Sequence, residues 1–421
     1  MSRYLGELTP VPEALEILKS HTRPVTESFI VPVWEAPDHV LARDIHAPFD
    51  WPPRHKSAYD GYAVRSSDTP GRLKLVGEAV IGTSDVGIRI SEGEAVYVTT
   101  GAYLPDGADA VVPEEKVEVE DGYIIVKDKV EPHQYIDPRG SITRKGQLLA
   151  KRGQLLTVYD VVGLLEVAIT EVEVYRKVRA AIISTGNELI VPSDPIGTQM
   201  KVYKGKVVAT TGGLLEAFIY EYLPWVEIVD SVLLPDNKEA VAWYIKHLLD
   251  NVDVVLLTGG TGPSNIDLFY QLKDDIGGEL LFRGLFVKGG RPTSAFLVGN
   301  KPIIGLSGYP LSALHGFIRL VYPYLRYLGN VERGAPPLYI VDAVLTDSIK
   351  AGRPRPIKVR VEYRDGVYYA TPLNKVYQLS SANVGLVLAN GIAFTGADNL
   401  KPGDKVPVLL YRDPIGRKYP I

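Results

Sequence analysis

The chain reads as a multidomain α/β plus β protein organised around a doubly wound parallel sheet. Three observations predict that class. Its 421 residues exceed what one hydrophobic core serves, so several domains are expected. Between Val174 and Gly329, continuous apolar runs alternate with amphipathic segments, the pattern of buried parallel strands covered by helices on both faces. On the N-terminal side, from about Ser28 to Val130, and after Gly329, short β-branched runs are broken by Gly and Pro, as in β domains.

Taken in order, "TPVPEALEILKS" predicts a short helix, with Pro12 near its first position and Ala14, Leu15, Ile17 and Leu18 as its apolar stripe. "RLKLVGEAVI", "EAVYVTT", "DAVVPEEKVEVE" and "YIIVKDKV" predict strands joined by tight turns. "QLLTVYDVVGLLEVAI" offers Thr157 as an N-cap for a second helix, expected to pair with the first. The strands "VRAAIIS", "WVEIVDSVLL", "VDVVLLTGG" and "KPIIGLSG" then alternate with the helices "GGLLEAFIYEYL", "DNKEAVAWYIKHLLD", "NIDLFYQLKDDIG" and "PLSALHGFIRLVYPYLRYL". After the linker "NVERGAPP", the segment Leu338 to Leu410 returns to short strands. The expected division is a small discontinuous helical domain (1–28 and 138–173), an inserted β domain (29–137), the doubly wound domain (174–329) and a C-terminal β domain (330–421).

Composition narrows the chemistry. A net charge of −4 argues against gripping a nucleic-acid backbone, which needs a broad basic surface. The absence of cysteine excludes disulfides, thiolate nucleophiles and Cys-ligated zinc. The seven histidines show no HExxH-type spacing. No apolar run has a membrane helix's length and the N-terminus lacks the order of a signal peptide, so the expectation is a cytoplasmic protein without membrane association. Two Met and few amides beside 31 Pro and 25 Tyr fit a thermophile's avoidance of labile side chains.

Four loops carry more Gly, Thr and charge than turns need. "LLTGGTGPSNID" runs from a buried strand through Gly259, Gly260, Thr261 and Gly262 into a helix, a backbone cradle for an anion. It has neither GxGxxG spacing nor a following GK[ST], which weakens the dinucleotide and P-loop readings. Ser264 and Asp267 also have nearly the spacing of a capping pair, so Asp267 reads equally as cap or ligand. "IISTGNEL" ends a strand and places Glu188 past the sheet's carboxyl edge, where a carboxylate suits Mg²⁺ or a ligand hydroxyl; the alternative is helix initiation by Asn187 and Glu188. In "LLPDNKEAV", Asp236 and Glu239 fit a capping box, which locally outweighs a functional role. "FRGLFVKGGRPTSAF" gathers Arg283, Lys288 and Arg291 around a Gly-Gly turn, either an oxyanion site or solvated charge. A fifth stretch, "HKSAYDGYAV", sets Asp60 before Gly61, a strong hairpin-turn signal that makes Asp60 a turn residue on local grounds.

Six stretches of the chain, in order, resemble the molybdopterin molybdenumtransferase family, the MoeA and gephyrin E-domain type. "SAYDGYAV" resembles its S-A-M-D-G-Y-A and "VTTGAYLPDGADAVV" its T-G-A-x-x-P-x-G-x-(D/N)-x-V-V. "STGNEL" resembles S-T-G-D-E-L, and "TGGTGPSNID" its T-G-G-x-(S/G)-x-G-x-x-D. "FVKGGRP" and "LSGYPLSAL" resemble K-P-G-K-P and L-P-G-N-P-x-S-A. The resemblance implies an elongated homodimer with a MogA-like, molybdopterin-binding doubly wound domain and a C-terminal β barrel. Its site would lie between that domain of one subunit and the inserted domain of the other. The implied reaction inserts molybdate or tungstate into adenylylated molybdopterin and releases AMP in the presence of Mg²⁺. By motif position, Asp60, Thr100, Glu188, Asp236 and Asp267 would be catalytic, with Glu188, Asp236 and Asp267 toward Mg²⁺. Lys288 and Arg291 would bind the oxyanion, with Ser312, Ser380 and Ser381 beside the substrate. Departures from the family pattern are Asn187, Ala209, Thr211, Gly289, Arg291, Ser307 and Tyr309. They motivate an alternative, a paralogue that binds the pterin as a carrier without turnover. A nucleotide-dependent transferase unrelated to molybdenum is a third reading, weakened by the missing phosphate fingerprints.

Overall fold

The strand Val178–Thr185 is buried along nearly its whole length, as expected of a strand covered on both faces. It pairs in parallel with Val226–Leu234 on one side and Val254–Thr258 on the other, and Lys301–Leu306 follows, also parallel. Alternation divides the core in two. Ala180 and Ile182 face Leu215, Phe218 and Ile219 of the helix Thr210–Tyr222, whereas Ala181 and Ile183 face Val241 and Ile245 of Lys238–Leu248 and Phe269 and Leu272 of Ile266–Asp275. The structure, a computed structural model, describes residues 8–82, 87–192, 194–259, 266–286, 291–350, 356–373, 383–395 and 399–416, with the backbone alone for 266–268.

Two features of this sheet depart from the expectation. It ends in an antiparallel pair, Ser294–Val298 and Glu279–Phe282, whose alternation resembles loop sequence because Gly and Pro interrupt the chain between them. The last helix is also broken, into Pro310–Gly316, a π-turn Phe317–Val321 and Tyr322–Leu328. Pro323 has no N–H to donate back, and the wider turn absorbs that loss. A further helix, Pro195–Tyr203, is absent from the expected set. Its signal was present, since Asp194 caps it by accepting from Gly197 N at 2.6 Å, with Pro195 at the first position.

The small domain is built differently from the expectation. The helix Val11–His21 buries Ala14 and Leu18 in the core of the doubly wound domain. Tyr324 Oη donates to Thr22 Oγ1 at 3.1 Å and Asn330 Nδ2 to Val25 O at 2.8 Å, fastening that junction. The helix Val158–Glu166, which does carry the Thr157–Asp160 capping box, packs instead on the turn Val33–Glu35. The two helices therefore serve different cores. Ser28–Pro32 pairs with Glu171–Tyr175, and Ile45–His46 with Leu148–Ala150. These pairings put residues 28–46 with the small domain, so the boundary expected at 29 moves past His46, and the one at 173 falls inside a strand. Composition alone cannot say which distant strand a short strand joins.

Arg176 clamps the small domain to the sheet's amino edge. Its guanidinium bonds Asp253 through two nitrogens, at 2.6 and 3.0 Å, and Glu27 at 2.9 Å. Burial pushes the Asp253 carboxyl up, but Arg176 and the Arg179 N–H outweigh it and hold the group below the usual range. The clamp's stability is thus present above a free carboxylate's pKa and lost as pH falls through the lower folded value.

The inserted domain is a six-stranded sheet, in the order Ala110–Pro113, Gly61–Val64, Glu94–Val98, Gly71–Ala79, Tyr123–Val126 and Val117–Glu120. A two-stranded neck, Lys56–Ser57 with Ile136–Asp137, joins it to the rest. The C-terminal domain is a closed five-stranded barrel, Ile340–Leu345, Val367–Pro372, Pro356–Arg364, Gly391–Phe394 and Lys405–Leu410, filled by Ala343, Val359, Val361, Ala370 and Val408. It sits against the doubly wound domain, where the rings of His315 and Phe394 stack with centroids 4.9 Å apart.

Candidate active site

Parallel register brings the chemistry-bearing loops to one edge. Thr185 pairs with Leu234, Ser184 with Thr258, and Thr258 with Leu306, so the segments after these strands share the sheet's carboxyl end. The strand Glu279–Phe282 runs in the same sense as Lys301–Leu306, which places Arg283 on that edge too, and Arg291 O accepts from Leu285 N at 3.1 Å. Gly259 turns the chain there at a φ of +91°, and a side chain would have its Cβ 2.3 Å from Thr185 O. Only glycine fits both demands. The neighbouring Thr185 Oγ1 is buried and has no hydrogen-bond partner among the described residues.

Asp236 is not a helix cap. Asn237 takes that role, accepting from Ala240 N at 2.7 Å, which releases the Asp236 carboxylate. Asp236 Oδ2 accepts from Asn187 N at 3.2 Å, and Asn187 Oδ1 accepts from Asp236 N at 3.2 Å, so the two loops hold each other reciprocally. Asp236 Oδ1 remains buried and without a hydrogen-bond partner among the described residues. A buried carboxylate oxygen without a donor is costly unless a ligand completes it. Glu188 does not initiate a helix. It lies exposed in a turn that leads to the short strand Leu189–Ile190.

Across the edge, Thr211 is buried at the start of the helix Thr210–Tyr222, and its hydroxyl donates to Gly308 O at 2.6 Å. Tyr309 N donates to Ser307 Oγ at 3.2 Å, and the Tyr309 ring is exposed. Ser312 is half-buried on the helix Pro310–Gly316. The barrel reaches this edge through Asn383, whose Nδ2 donates to Thr210 Oγ1 at 3.5 Å. Arg283 stands apart, its guanidinium 4.3 Å from the centre of the Tyr270 ring. Lys358 is a cation that the sequence reading missed: it is buried in the barrel wall, burial lowers its pKa, and its Cδ lies 2.9 Å from where a Cβ on Gly385 would stand. Ile357, Val359 and Val361 fill the barrel, so Lys358 lies on the strand's outer face under the helix Gly385–Leu388, and an alternating strand such as "IKVRVEY" gives no sign that this face is covered.

Asp60 belongs to a second cluster, in the inserted domain. The hairpin turn expected from Asp-Gly does not form; Gly61 is a strand residue paired on both sides, to Val98 and to Pro113. It is glycine because a Cβ there would stand 2.2 Å from Val112 O. Asp60 is thus left exposed at the strand's start, where Oδ1 accepts from Thr100 N at 2.6 Å and Thr100 Oγ1 at 2.9 Å. The Thr100 N–H, aided by its hydroxyl, holds the Asp60 carboxyl below the usual carboxylate range. The carboxylate is therefore a fixed anion at neutral pH. Among the described residues, the hydrogen bonds of Asp60 stay within its own domain.

The sites expected at Gly260, Thr261, Gly262, Lys288, Ser380 and Ser381 lie outside the described residues. So does the side chain of Asp267, whose backbone falls in the first turn of Ile266–Asp275. Among the described residues no three His, Asp or Glu side chains converge as metal ligands. No helix among them is long and apolar enough to cross a membrane.

Comparison with known proteins matches residues 9–168 to the MoeA N-terminal region (domain I and II) and residues 181–327 to a probable molybdopterin binding domain. The molybdopterin molybdenumtransferase of Haemophilus influenzae is 30% identical over 366 residues, covering 86% of this chain and 85% of its own. That of Staphylococcus aureus strain COL is 27% identical and covers 95% of both. Two crystal structures of a molybdopterin biosynthesis MoeA protein from Pyrococcus horikoshii superpose with TM-scores of 0.79 and 0.76, at 30% and 29% identity. They cover 97% and 96% of this chain and all of theirs.

Proposed function

Since the chain belongs to the molybdopterin molybdenumtransferase family and so serves molybdenum cofactor biosynthesis, we propose that it inserts molybdate or tungstate into adenylylated molybdopterin and releases AMP. The observation that carries this reading is the sheet's carboxyl edge. There, Asp236 Oδ1 and Thr185 Oγ1 are buried without hydrogen-bond partners among the described residues, on the edge where Gly259 admits close approach of a ligand. The N–H groups that open the helix Thr210–Tyr222 have no side-chain cap and are available to a phosphate. Asn187 in place of the family's aspartate does not disable the edge, because its Oδ1 still accepts from Asp236 N. The carrier alternative therefore gains no support from that departure.

The oxygen donors of Asp236, Glu188 and Thr185 fit Mg²⁺, a hard cation, and Asp236 with Glu188 would hold it, joined by Asp267. Bound there, Mg²⁺ would neutralise charge that builds on the departing phosphate. Asp60, already ionised, would act from the inserted domain of a partner subunit.

Purified protein supplied with adenylylated molybdopterin, Mg²⁺ and molybdate or tungstate should release AMP. Asp236→Asn should raise the Mg²⁺ concentration for half-maximal release about tenfold, since one anionic ligand is lost while the bond to Asn187 N is kept. No AMP with either oxyanion would sink the reading, and tight nucleotide binding without release would establish the carrier instead.

A dimer is supported by the outer face of the small domain. On the helix Val158–Glu166, Val161 and Leu164 turn inward, while Val158, Val162 and Leu165 form an exposed stripe with Tyr159, 84% exposed. Trp34, on the turn that this helix packs against, is exposed as well. Such a surface suits a second copy of the chain. Val162→Glu should yield monomers by sedimentation velocity and abolish AMP release; monomeric enzyme with full activity would refute the shared site.

A further inference from the structure

We propose that Tyr59 and Tyr135 form an aromatic corner that receives the flat heteroaromatic ring of the substrate, beside the Asp60 carboxylate. The inference rests on the reading above and adds the element that recognises a ring. The family motif carries Met where this chain has Tyr59, so the corner belongs to this sequence. Tyr59 is 49% exposed although it is large and apolar, and its ring meets that of Tyr135 edge to face, with centroids 5.4 Å apart and planes at 86°. Two rings at a right angle leave one open face and one edge, the shape that accepts a third planar ring by offset stacking.

Both walls are fixed. Ser57 Oγ donates to Tyr59 O, and Ala58 N donates to Tyr135 O at 3.1 Å, so the two segments are tied together. Lys116 Nζ donates to Tyr135 Oη at 2.6 Å and lies 4.8 Å from the ring's centre. Tyr135 sits at a φ of +57° and His133, two residues before it, at +67°. Left-handed backbone is unfavourable at a residue with a side chain and persists where a structure has a use for the conformation it imposes. Here that conformation presents the Tyr135 ring to Tyr59. The 3₁₀ turn Glu114–Lys116 also ties to the aspartate, because Glu114 N donates to Asp60 O at 3.2 Å. The segments that carry the ring wall, the ammonium and Asp60 are therefore hydrogen-bonded to one another. The adenine of AMP and the pterin share the required chemistry, a flat heteroaromatic ring with polar edges.

The test compares the wild type with Tyr59→Ala and Tyr59→Phe as full-length protein, with thermal melts to verify folding. Steady-state AMP release should show KM for adenylylated molybdopterin raised at least tenfold in Tyr59→Ala and restored to within threefold of wild type in Tyr59→Phe. The loss should fall on KM and not on kcat. Calorimetric titration with AMP and, separately, with neopterin identifies the ring, because only the probe that occupies the corner should weaken tenfold on Tyr59→Ala. Active wild type with an unchanged KM in Tyr59→Ala overturns the corner and leaves the enzymatic reading standing. Wild type without turnover removes the enzymatic reading; the titrations then decide the corner, which fails if neither probe binds or both bind the two proteins equally.

Discussion

Asp60→Ala is expected to lower AMP release by about 10²- to 10³-fold, the scale on which a single group aimed at a reacting centre contributes. Its melting temperature should stay within about 2 °C of wild type. The carboxylate is exposed, and the Thr100 N–H and hydroxyl that it accepts from are exposed with it, so water replaces both bonds. Asp60→Asn keeps an acceptor for Thr100 but removes the charge, and should be nearly as inactive. A large drop in melting temperature with activity regained on cooling would return Asp60 to a structural role.

Gly61→Ala, one residue along, is expected to do the reverse. A methyl group there would stand 2.2 Å from Val112 O and 2.9 Å from Pro113 Cα, and those contacts are backbone, with no flexible side chain to yield. The strands Gly61–Val64 and Ala110–Pro113 must separate, at a cost of about 3 kcal/mol, the upper part of the overpacking range. For a domain of this size that lowers its melting transition by roughly 12–24 °C. Calorimetry would resolve it as an early transition of the inserted domain, and AMP release should fail as that transition is crossed. A melt unchanged by Gly61→Ala would mean that the strand pair is looser than its register implies. Two adjacent residues would thus separate chemistry from scaffold.

How legible the site was depended on the range of the signal. The strand and helix alternation from Val178 to Leu328 follows from local apolar periodicity, and the carboxyl-edge loops follow from it. The local cap signal at Asp236 fails because D-x-x-E spacing is satisfied in sequence, whereas the helix starts one residue later and Asn237 becomes its cap. The local turn signal at Asp60 fails because Asp-Gly favours positive φ, while the glycine answers instead to the carbonyl of a strand some fifty residues away. Lys358 gives no signal at all, since its burial depends on the helix Gly385–Leu388 covering the outer face of its strand.

By itself the sequence determined the family and the fold class, because motif residues and hydrophobic period are written in neighbouring positions. Tertiary structure alone decided which helix serves which core, where the small domain ends, and which polar atoms are left unpaired at the sheet's edge. The physical reason is that pairing, burial and hydrogen-bond satisfaction are set by partners distant in the chain. Asp236 shows the difference most plainly: its type and place are in the sequence, but its freedom to hold a ligand arises only when Asn237 caps the helix and Asn187 meets it from the next strand.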